Sequence, residues 1–211
     1  MSETVLYDYW RSSASYRLRI ALNMLAETFR TVPVDIVAKE HRSAEHLARN
    51  PQGLLPVLEV DGHMFTQSLA IIEYLDETRG AAFLPGDSVG RQRVRALSYA
   101  IAMEIHPVCN SHIGAHIMEI TGGGEEVRQI WMQKFIHQGL AAFEKLLDSS
   151  LTGKFCHGDR PTMADICLVP QVYNARRWEA DLRGLPKLVE IAERCMELQP
   201  FALAHPDKAP R

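Results

Sequence analysis

The sequence predicts an α/β domain at the start of the chain and an all-helical domain after it. Signals for a strand, a helix, a strand, a hairpin and a helix fill the first eighty residues, whereas only helical periodicity is found beyond residue 88. A length of 211 residues allows one large or two compact domains, at roughly 100–200 residues per domain. The segment Leu84-Pro85-Gly86-Asp87 contains two strong breakers and is the best linker candidate. We therefore expect domains at residues 1–82 and 88–211.

The first elements follow from residue type and spacing. Thr4–Tyr9 combines β-branched and aromatic residues with polar ones, which predicts a short strand. A serine-rich segment at residues 12–15 then precedes apolar residues at helical spacing, which predicts a helix that begins at these serines. Thr31–Val37 is a second strand candidate. A strand–helix–strand unit implies a right-handed crossover and parallel pairing of its two strands.

A hairpin and a second helix complete this half. Asp61-Gly62 predicts a tight turn between strands Val57–Val60 and His63–Phe65, because this dipeptide accepts the positive φ angles of a two-residue turn. Ser68 then starts the helix, and Gly80 follows its last turn. The hairpin should add antiparallel strands to the parallel pair.

The second half carries only helix signals. Apolar residues recur at helical spacing within four stretches, Val94–Ile105, Val127–Phe135, Phe143–Leu147 and Leu188–Cys195. Gly122-Gly123-Gly124 separates the helices before and after it. Thr162 and Asp165 have the spacing of a capping box, in which the acidic side chain reaches back to the N-cap amide.

Composition excludes several classes of function. Lys and Arg number 23 against 26 Asp and Glu, and this net charge of −3 gives no bulk attraction to nucleic acid or anionic membranes. No apolar stretch approaches the roughly 20 residues of a membrane span, and the N-terminus lacks the pattern of a signal peptide. We expect a cytoplasmic protein with four reduced cysteines. His112 and His116 have a spacing that can bind zinc, but an ordinary helix face explains them, and we expect no metal.

Three local features could bind an anion or a peptide, and each also has a purely structural interpretation. The serines at the first helix start lie where free N–H groups and the positive end of the helix would stabilise a thiolate, or they could simply cap the helix. A cis bond before Pro56 would leave the backbone of Leu55 free to pair with an extended peptide, although trans is the commoner isomer. Gln67 and Ser68 could hold a carboxylate at the next helix start or serve only as a cap.

Four blocks together resemble the signatures of zeta-class glutathione transferases, in order and at compatible spacing over nearly the whole chain. They are Arg11–Leu22, Asn50–Leu58, Gln67–Leu75 and Thr162–Val172. The resemblance implies a thioredoxin-like N-terminal domain, a helical C-terminal domain, a homodimer and glutathione as the cofactor. It also implies that Pro56 is the cis proline of that fold, against the expectation for an isolated proline.

The resemblance assigns glutathione-binding roles along the chain. Ser12 would donate a hydrogen bond to the glutathione sulfur, with backbone contributions from Ser13 and Ala14. Leu55, next to Pro56, would pair with the cysteinyl part through its backbone. The remaining implied positions are Gln67 and Ser68 for the γ-glutamyl end, His41 for the glycyl end, and His106, Asn110, Ser111 and His112 along the glutathione and substrate cleft. Many members carry a cysteine where this chain has Ala14, which removes any thiol-based role for the protein at this position. Isomerisation does not require that cysteine, because the reacting sulfur would belong to glutathione.

The implied activity is cis–trans isomerisation of a maleyl keto acid by reversible addition of the glutathione thiolate. Ser12 would keep the sulfur ionised, while Arg11 and Arg177 would bind the substrate carboxylates, for which planar guanidinium groups are suited. Maleylacetoacetate is the preferred substrate and maleylpyruvate the alternative. A glutathione transferase acting on small electrophiles such as α-haloacids, and a non-catalytic binding module, are further alternatives.

Overall fold

A computed structural model describes residues 3–211 and divides the chain into two compact units by its contacts. One unit comprises Met1–Phe83 together with Glu197–Arg211, and the other comprises Leu84–Met196. This grouping differs from the predicted range 88–211 at the C-terminal segment, because the short helix Gln199–Leu203 packs on the first helix of the chain. There, Asn23 Nδ2 donates a hydrogen bond to the Pro200 carbonyl at 3.1 Å.

The N-terminal unit contains a four-stranded sheet in the order β2-β1-β3-β4. Its elements are β1 (Thr4–Asp8), α1 (Ser13–Met24), β2 (Phe29–Pro33), α2 (Ala44–Arg49), β3 (Val57–Val60), β4 (His63–Thr66) and α3 (Ser68–Arg79). The predicted parallel pairing of β1 with β2 is confirmed, and the β3–β4 hairpin is antiparallel. Its turn residues, Asp61 and Gly62, have φ angles of 54° and 79°. The unit's core includes Leu6, Leu18, Leu58, Ile72 and Leu75, all fully buried.

Two local predictions for this unit need correction. The second strand is Phe29–Pro33 rather than Thr31–Val37, and the chain leaves the sheet after Val34, whose N–H still donates to the Asp8 carbonyl. The strand lies at the edge of the sheet and most of its side chains are partly exposed, so the apolar alternation that would have marked its limits is weak. The sequence also gave no signal for α2, which has only six residues.

The second unit is helical, as predicted. Its elements are α4 (Ser88–Tyr99), a π-helical segment (Ala100–Ile105), α5 (His106–Val108), α6 (Ser111–Thr121), α7 (Glu125–Leu146), α8 (Met163–Arg177) and α9 (Pro186–Met196). The α8 helix is almost entirely buried and packs against α4 and α9. The capping box is confirmed, because Asp165 accepts hydrogen bonds from the Thr162 N–H at 2.7 Å and the Thr162 hydroxyl at 2.9 Å. We number the C-terminal helix Gln199–Leu203 as α10.

Candidate active site

A buried ion pair holds the segment that leads from β1 into α1. Both carboxylate oxygens of Asp8, the last residue of β1, accept hydrogen bonds from Arg19 Nη1 at 2.6 and 2.7 Å. The same guanidinium donates to the carbonyls of Trp10 and Ala204, each at 3.0 Å. Burial raises the pKa of Asp8, and the adjacent Arg19 charge opposes this rise. The guanidinium therefore fixes the path of the chain immediately before the serines.

Ser12 caps α1 and leaves its own hydroxyl proton available. Its Oγ accepts a hydrogen bond from the Ser15 N–H at 3.2 Å, and its side chain is partly exposed. A hydroxyl that accepts on one lone pair can still donate its proton to another group. Within residues 3–211, the N–H groups of Ser13 and Ala14 make no backbone hydrogen bond. Three donors at the positive end of a helix can stabilise an anion such as a thiolate.

The loop before β3 presents a second set of free polar groups. The Leu55–Pro56 peptide bond is cis, as the resemblance implies. Neither the N–H nor the C=O of Leu55 takes part in a backbone hydrogen bond with any described residue of the chain. An unpaired N–H and C=O on one residue can bind an extended peptide as a neighbouring strand would.

The start of α3 combines a helix terminus with a buried cation. Ser68 is its first residue, and the buried side chain of Arg17 donates to Ser68 Oγ at 3.1 Å. Gln67 precedes it with a φ angle of 68°, and its side chain donates to Gln52 Oε1 at 2.9 Å. The helix terminus and the Arg17 charge together favour a carboxylate at this position. Sequence reasoning did not connect Arg17 with Ser68; the available signal was an arginine in the middle of a buried stretch of α1.

His41 and Arg11 differ in their surroundings. His41 is partly exposed, and its carbonyl lies 3.0 Å from the point where a Cβ of Gly53 would stand, which places it beside the loop that leads to Leu55. Burial lowers the pKa of His41, with smaller contributions from Arg42 and His46. Arg11 is exposed, and its Nη2 donates to the Tyr9 hydroxyl at 3.0 Å.

Arg11 also stacks on an indole ring. Its guanidinium carbon lies 4.7 Å from the centroid of the Trp10 ring, and that of Arg211 lies 4.5 Å from the same centroid. Such stacking holds a guanidinium in place without using its N–H donors. Arg11 can therefore still donate to a substrate carboxylate.

The helical unit carries the other predicted positions. His106 begins α5 directly after the π-helical segment, and Asn110 precedes α6 as its N-cap residue. Ser111 Oγ donates to Asn110 Oδ1 at 3.3 Å, and both Ser111 and His112 are exposed. The part of the chain that the structure describes has no group of three or more His, Cys, Asp or Glu side chains that could hold a metal. His112 and His116 are both exposed on α6.

Arg177 ends α8 and stacks on the next residue. Its guanidinium carbon lies 4.7 Å from the ring centroid of Trp178, while that of Arg128 lies 5.0 Å from the same centroid. Arg177 Nη2 donates to Asn174 Oδ1 at 3.2 Å. Both arginines predicted to bind substrate are therefore supported by an adjacent tryptophan.

These groups fit the chemistry of glutathione, a tripeptide with a thiol and two carboxylates. The Ser12 hydroxyl and the start of α1 suit an ionised sulfur, and the free backbone of Leu55 suits a peptide unit. Ser68, supported by Arg17, suits a carboxylate.

Comparisons with known proteins agree with this chemistry. Residues 2–77 match the family described as "Glutathione S-transferase, N-terminal domain", and residues 125–196 match "Glutathione S-transferase, C-terminal domain". Maleylacetoacetate isomerase of Rhizobium meliloti is 66% identical over 209 residues, which cover 99% of this chain and 98% of that protein. The holo structure of a maleyl pyruvate isomerase, described as a bacterial glutathione S-transferase in the zeta class, superposes with a TM-score of 0.95 at 39% identity and covers 98% of both chains. The chain belongs to the zeta-class glutathione S-transferase family.

A further zeta-class relative has been solved with ligands. Maleylacetoacetate isomerase from Methylobacterium extorquens AM1, with bound malonate and GSH, has a TM-score of 0.94 at 35% identity and covers 98% of both chains. The zeta-class fold, a thioredoxin-like sheet domain followed by a helical domain, is therefore confirmed. The roles of the individual site residues stay predictions.

Proposed function

We propose that this protein is a glutathione-dependent cis–trans isomerase that converts maleylacetoacetate to its fumaryl isomer. The observation that carries the proposal is the Ser12 hydroxyl, which accepts from the Ser15 N–H and so keeps its own proton for a sulfur at the start of α1. The R. meliloti relative, named maleylacetoacetate isomerase and similar over almost its full length, supports this choice of substrate.

Bound glutathione supplies a thiolate, which adds reversibly to the cis double bond and leaves after rotation about the resulting single bond. Ser12 donates its hydroxyl proton to that sulfur, and the N–H groups of Ser13 and Ala14 add to the positive potential there. Both effects lower the pKa of the thiol, so that the nucleophile is ionised near neutral pH.

The remaining glutathione contacts come from four positions. The N–H and C=O of Leu55, next to cis Pro56, pair with the cysteinyl part. Gln67 and Ser68 bind the γ-glutamyl carboxylate, and the buried Arg17 guanidinium orients the Ser68 hydroxyl. His41 faces the glycyl end. These contacts fix the sulfur in one position, which reduces the entropic cost of the addition step.

The substrate is a dicarboxylate, and the two arginines suit it. Arg11 and Arg177 each stack on a tryptophan, which restricts the guanidinium to one orientation before substrate binds. A planar guanidinium binds a carboxylate through two parallel hydrogen bonds and stabilises negative charge that develops on the conjugated ketone. In the helical unit, His106, Asn110, Ser111 and His112 are the further residues that we assign to glutathione and substrate binding.

Maleylpyruvate is the second candidate substrate, because the zeta-class structure with a TM-score of 0.95 is a maleyl pyruvate isomerase. The two substrates share the maleyl group and differ only beyond it. Pocket differences of that size change transition-state binding by about 1–3 kcal/mol, so both substrates should react and their kcat/KM values should differ.

An absorbance assay tests the proposal. The protein, freed of glutathione, is mixed with maleylacetoacetate or maleylpyruvate and then with glutathione or with S-methylglutathione, which has no free thiol. We expect turnover only with glutathione and a higher kcat/KM for maleylacetoacetate. Turnover without glutathione, or with its S-methyl derivative, would contradict the thiolate mechanism.

We also propose that the protein is a cytoplasmic homodimer. The support is the zeta-class membership and, for location, the sequence features given above. Within residues 3–211, no helix is both long enough and apolar enough to cross a membrane. Light scattering of the purified chain, at 23.8 kDa per protomer, should give twice that mass.

A further inference from the structure

Two side chains bind the carbonyl oxygen of Leu54, the residue before the glutathione-binding Leu55. His46 Nε2 lies 3.1 Å from this oxygen, and Asn50 Nδ2 donates to it at 2.9 Å. His46 lies on α2 and is only 1% exposed. Its own N–H donates to Ser43 Oγ at 3.2 Å, which fixes the start of the helix that carries the imidazole. These two side chains therefore fix the direction of the Leu54 carbonyl.

The planarity of the peptide unit transmits this contact to Leu55. The Leu54 C=O and the Leu55 N–H belong to the same peptide plane, and in a trans peptide they point in opposite directions. The cis peptide bond of this loop is the next one, Leu55–Pro56. A carbonyl held inward by His46 and Asn50 thus requires the Leu55 N–H to point away from them. Two hydrogen bonds to the carbonyl also polarise the amide and strengthen its N–H as a donor.

The imidazole can hold only one tautomer in this role. A carbonyl oxygen only accepts, so Nε2 carries the proton. In the described part of the chain, Nδ1 of His46 is buried without a hydrogen-bond partner. A donor of fixed direction holds the amide plane in one orientation.

We propose that His46 is a positioning residue that orients the Leu55 N–H for the cysteinyl carbonyl of glutathione. The inference rests on the proposed function, since it takes glutathione as the ligand of Leu55. His46 acts through the Leu54–Leu55 peptide plane and contacts neither the glutathione sulfur nor the maleyl substrate. Its loss should therefore weaken glutathione binding and leave the chemistry at saturating glutathione almost unchanged.

The test compares variants of the full-length protein by calorimetric titration with reduced glutathione and by isomerase kinetics. H46L removes the donor, and H46N keeps an amide that is too short to reach the Leu54 oxygen. H46Q places an amide nitrogen near the position of Nε2. Loss of one net hydrogen bond should raise the Kd of H46L and H46N about fivefold, with kcat within about twofold of wild type. H46Q should restore the wild-type Kd.

The matched control is N23L, which removes a side-chain hydrogen bond to a carbonyl elsewhere in the same unit. It should lower thermal stability without changing the Kd. The proposal is overturned if both H46L and H46N bind glutathione as wild type does, or if H46Q is as impaired as H46L. If the wild-type protein does not bind glutathione, the proposed function is overturned as well. If the wild type binds glutathione and the variants bind it equally well, only the positioning role of His46 is overturned.

Discussion

Ser12→Ala should raise the pH at which bound glutathione ionises by about 1–2 pH units. The Ser12 Oγ already accepts from the Ser15 N–H at 3.2 Å, so its proton is free for the sulfur. A hydrogen bond to a charged acceptor contributes about 1.5–3 kcal/mol, and 1.36 kcal/mol corresponds to about one pH unit. The start of α1 remains in the variant, so part of the stabilisation of the thiolate should persist.

The assay is the ultraviolet absorbance of the thiolate, measured as a function of pH on the protein saturated with glutathione. The variant also loses an N-cap bond, which should lower the unfolding free energy by about 1 kcal/mol. Asp87→Ala is the matched control, because Asp87 caps α4 through a hydrogen bond from the Gly90 N–H at 2.7 Å. It should lose similar stability and leave the ionisation of glutathione unchanged. The reasoning is refuted if Ser12→Ala ionises glutathione at the wild-type pH.

Three further predictions concern substrate binding, the buried ion pair and acid stability. Arg177→Ala should lower the isomerisation rate by about 10²–10³ and leave glutathione affinity unchanged. The control Arg176→Ala should change neither the rate nor the affinity. Equal losses of rate and affinity in Arg177→Ala would contradict the assignment of Arg177 to the substrate site. Arg19→Met should lower the unfolding free energy in urea by about 3–5 kcal/mol, because it leaves the Asp8 carboxylate buried without its partner; a loss below about 1 kcal/mol would contradict this. The pKa of Asp61 is lowered to about 2, mainly by its hydrogen bond from an arginine, so the unfolded state binds the proton more readily and stability falls as the pH drops from 3.8 toward 2. In Asp61→Asn, the urea midpoint of unfolding should change less over that pH range than in the wild type. The same pH dependence in both proteins would contradict the assignment of this loss of stability to Asp61.

Local chemistry explains why several elements could be predicted from the sequence. The Asp61-Gly62 turn and the capping box of α8 depend on residues close together in the chain, and both are present. Gly80 ends α3 in the left-handed conformation, with a φ angle of 63°. Each of these signals is set by the backbone preference of one or two residues.

Contacts between residues far apart in the chain could not be predicted from the sequence. Arg19 on α1 and Asp8 at the end of β1 lie 11 positions apart and pair only in the folded chain. Arg17 reaches Ser68 across 51 positions. Apolar periodicity places these arginines on a buried helix face but does not indicate which residues they contact. The same limit applies to α10, whose packing on α1 depends on contacts almost a whole chain length apart.

The resemblance supplied what periodicity could not. The cis bond before Pro56 is invisible to residue statistics, which favour trans, and it followed only from the family pattern. By contrast, the contact of His46 with the Leu54 carbonyl was not implied by any motif, because α2 itself gave no sequence signal.

A crystal structure of the protein with reduced glutathione tests the central claim most directly. We predict that the sulfur lies within hydrogen-bonding distance of Ser12 Oγ at the start of α1, with the cysteinyl backbone paired to Leu55. A tripeptide bound with its sulfur directed away from Ser12, or bound at another place on the protein, would contradict the account.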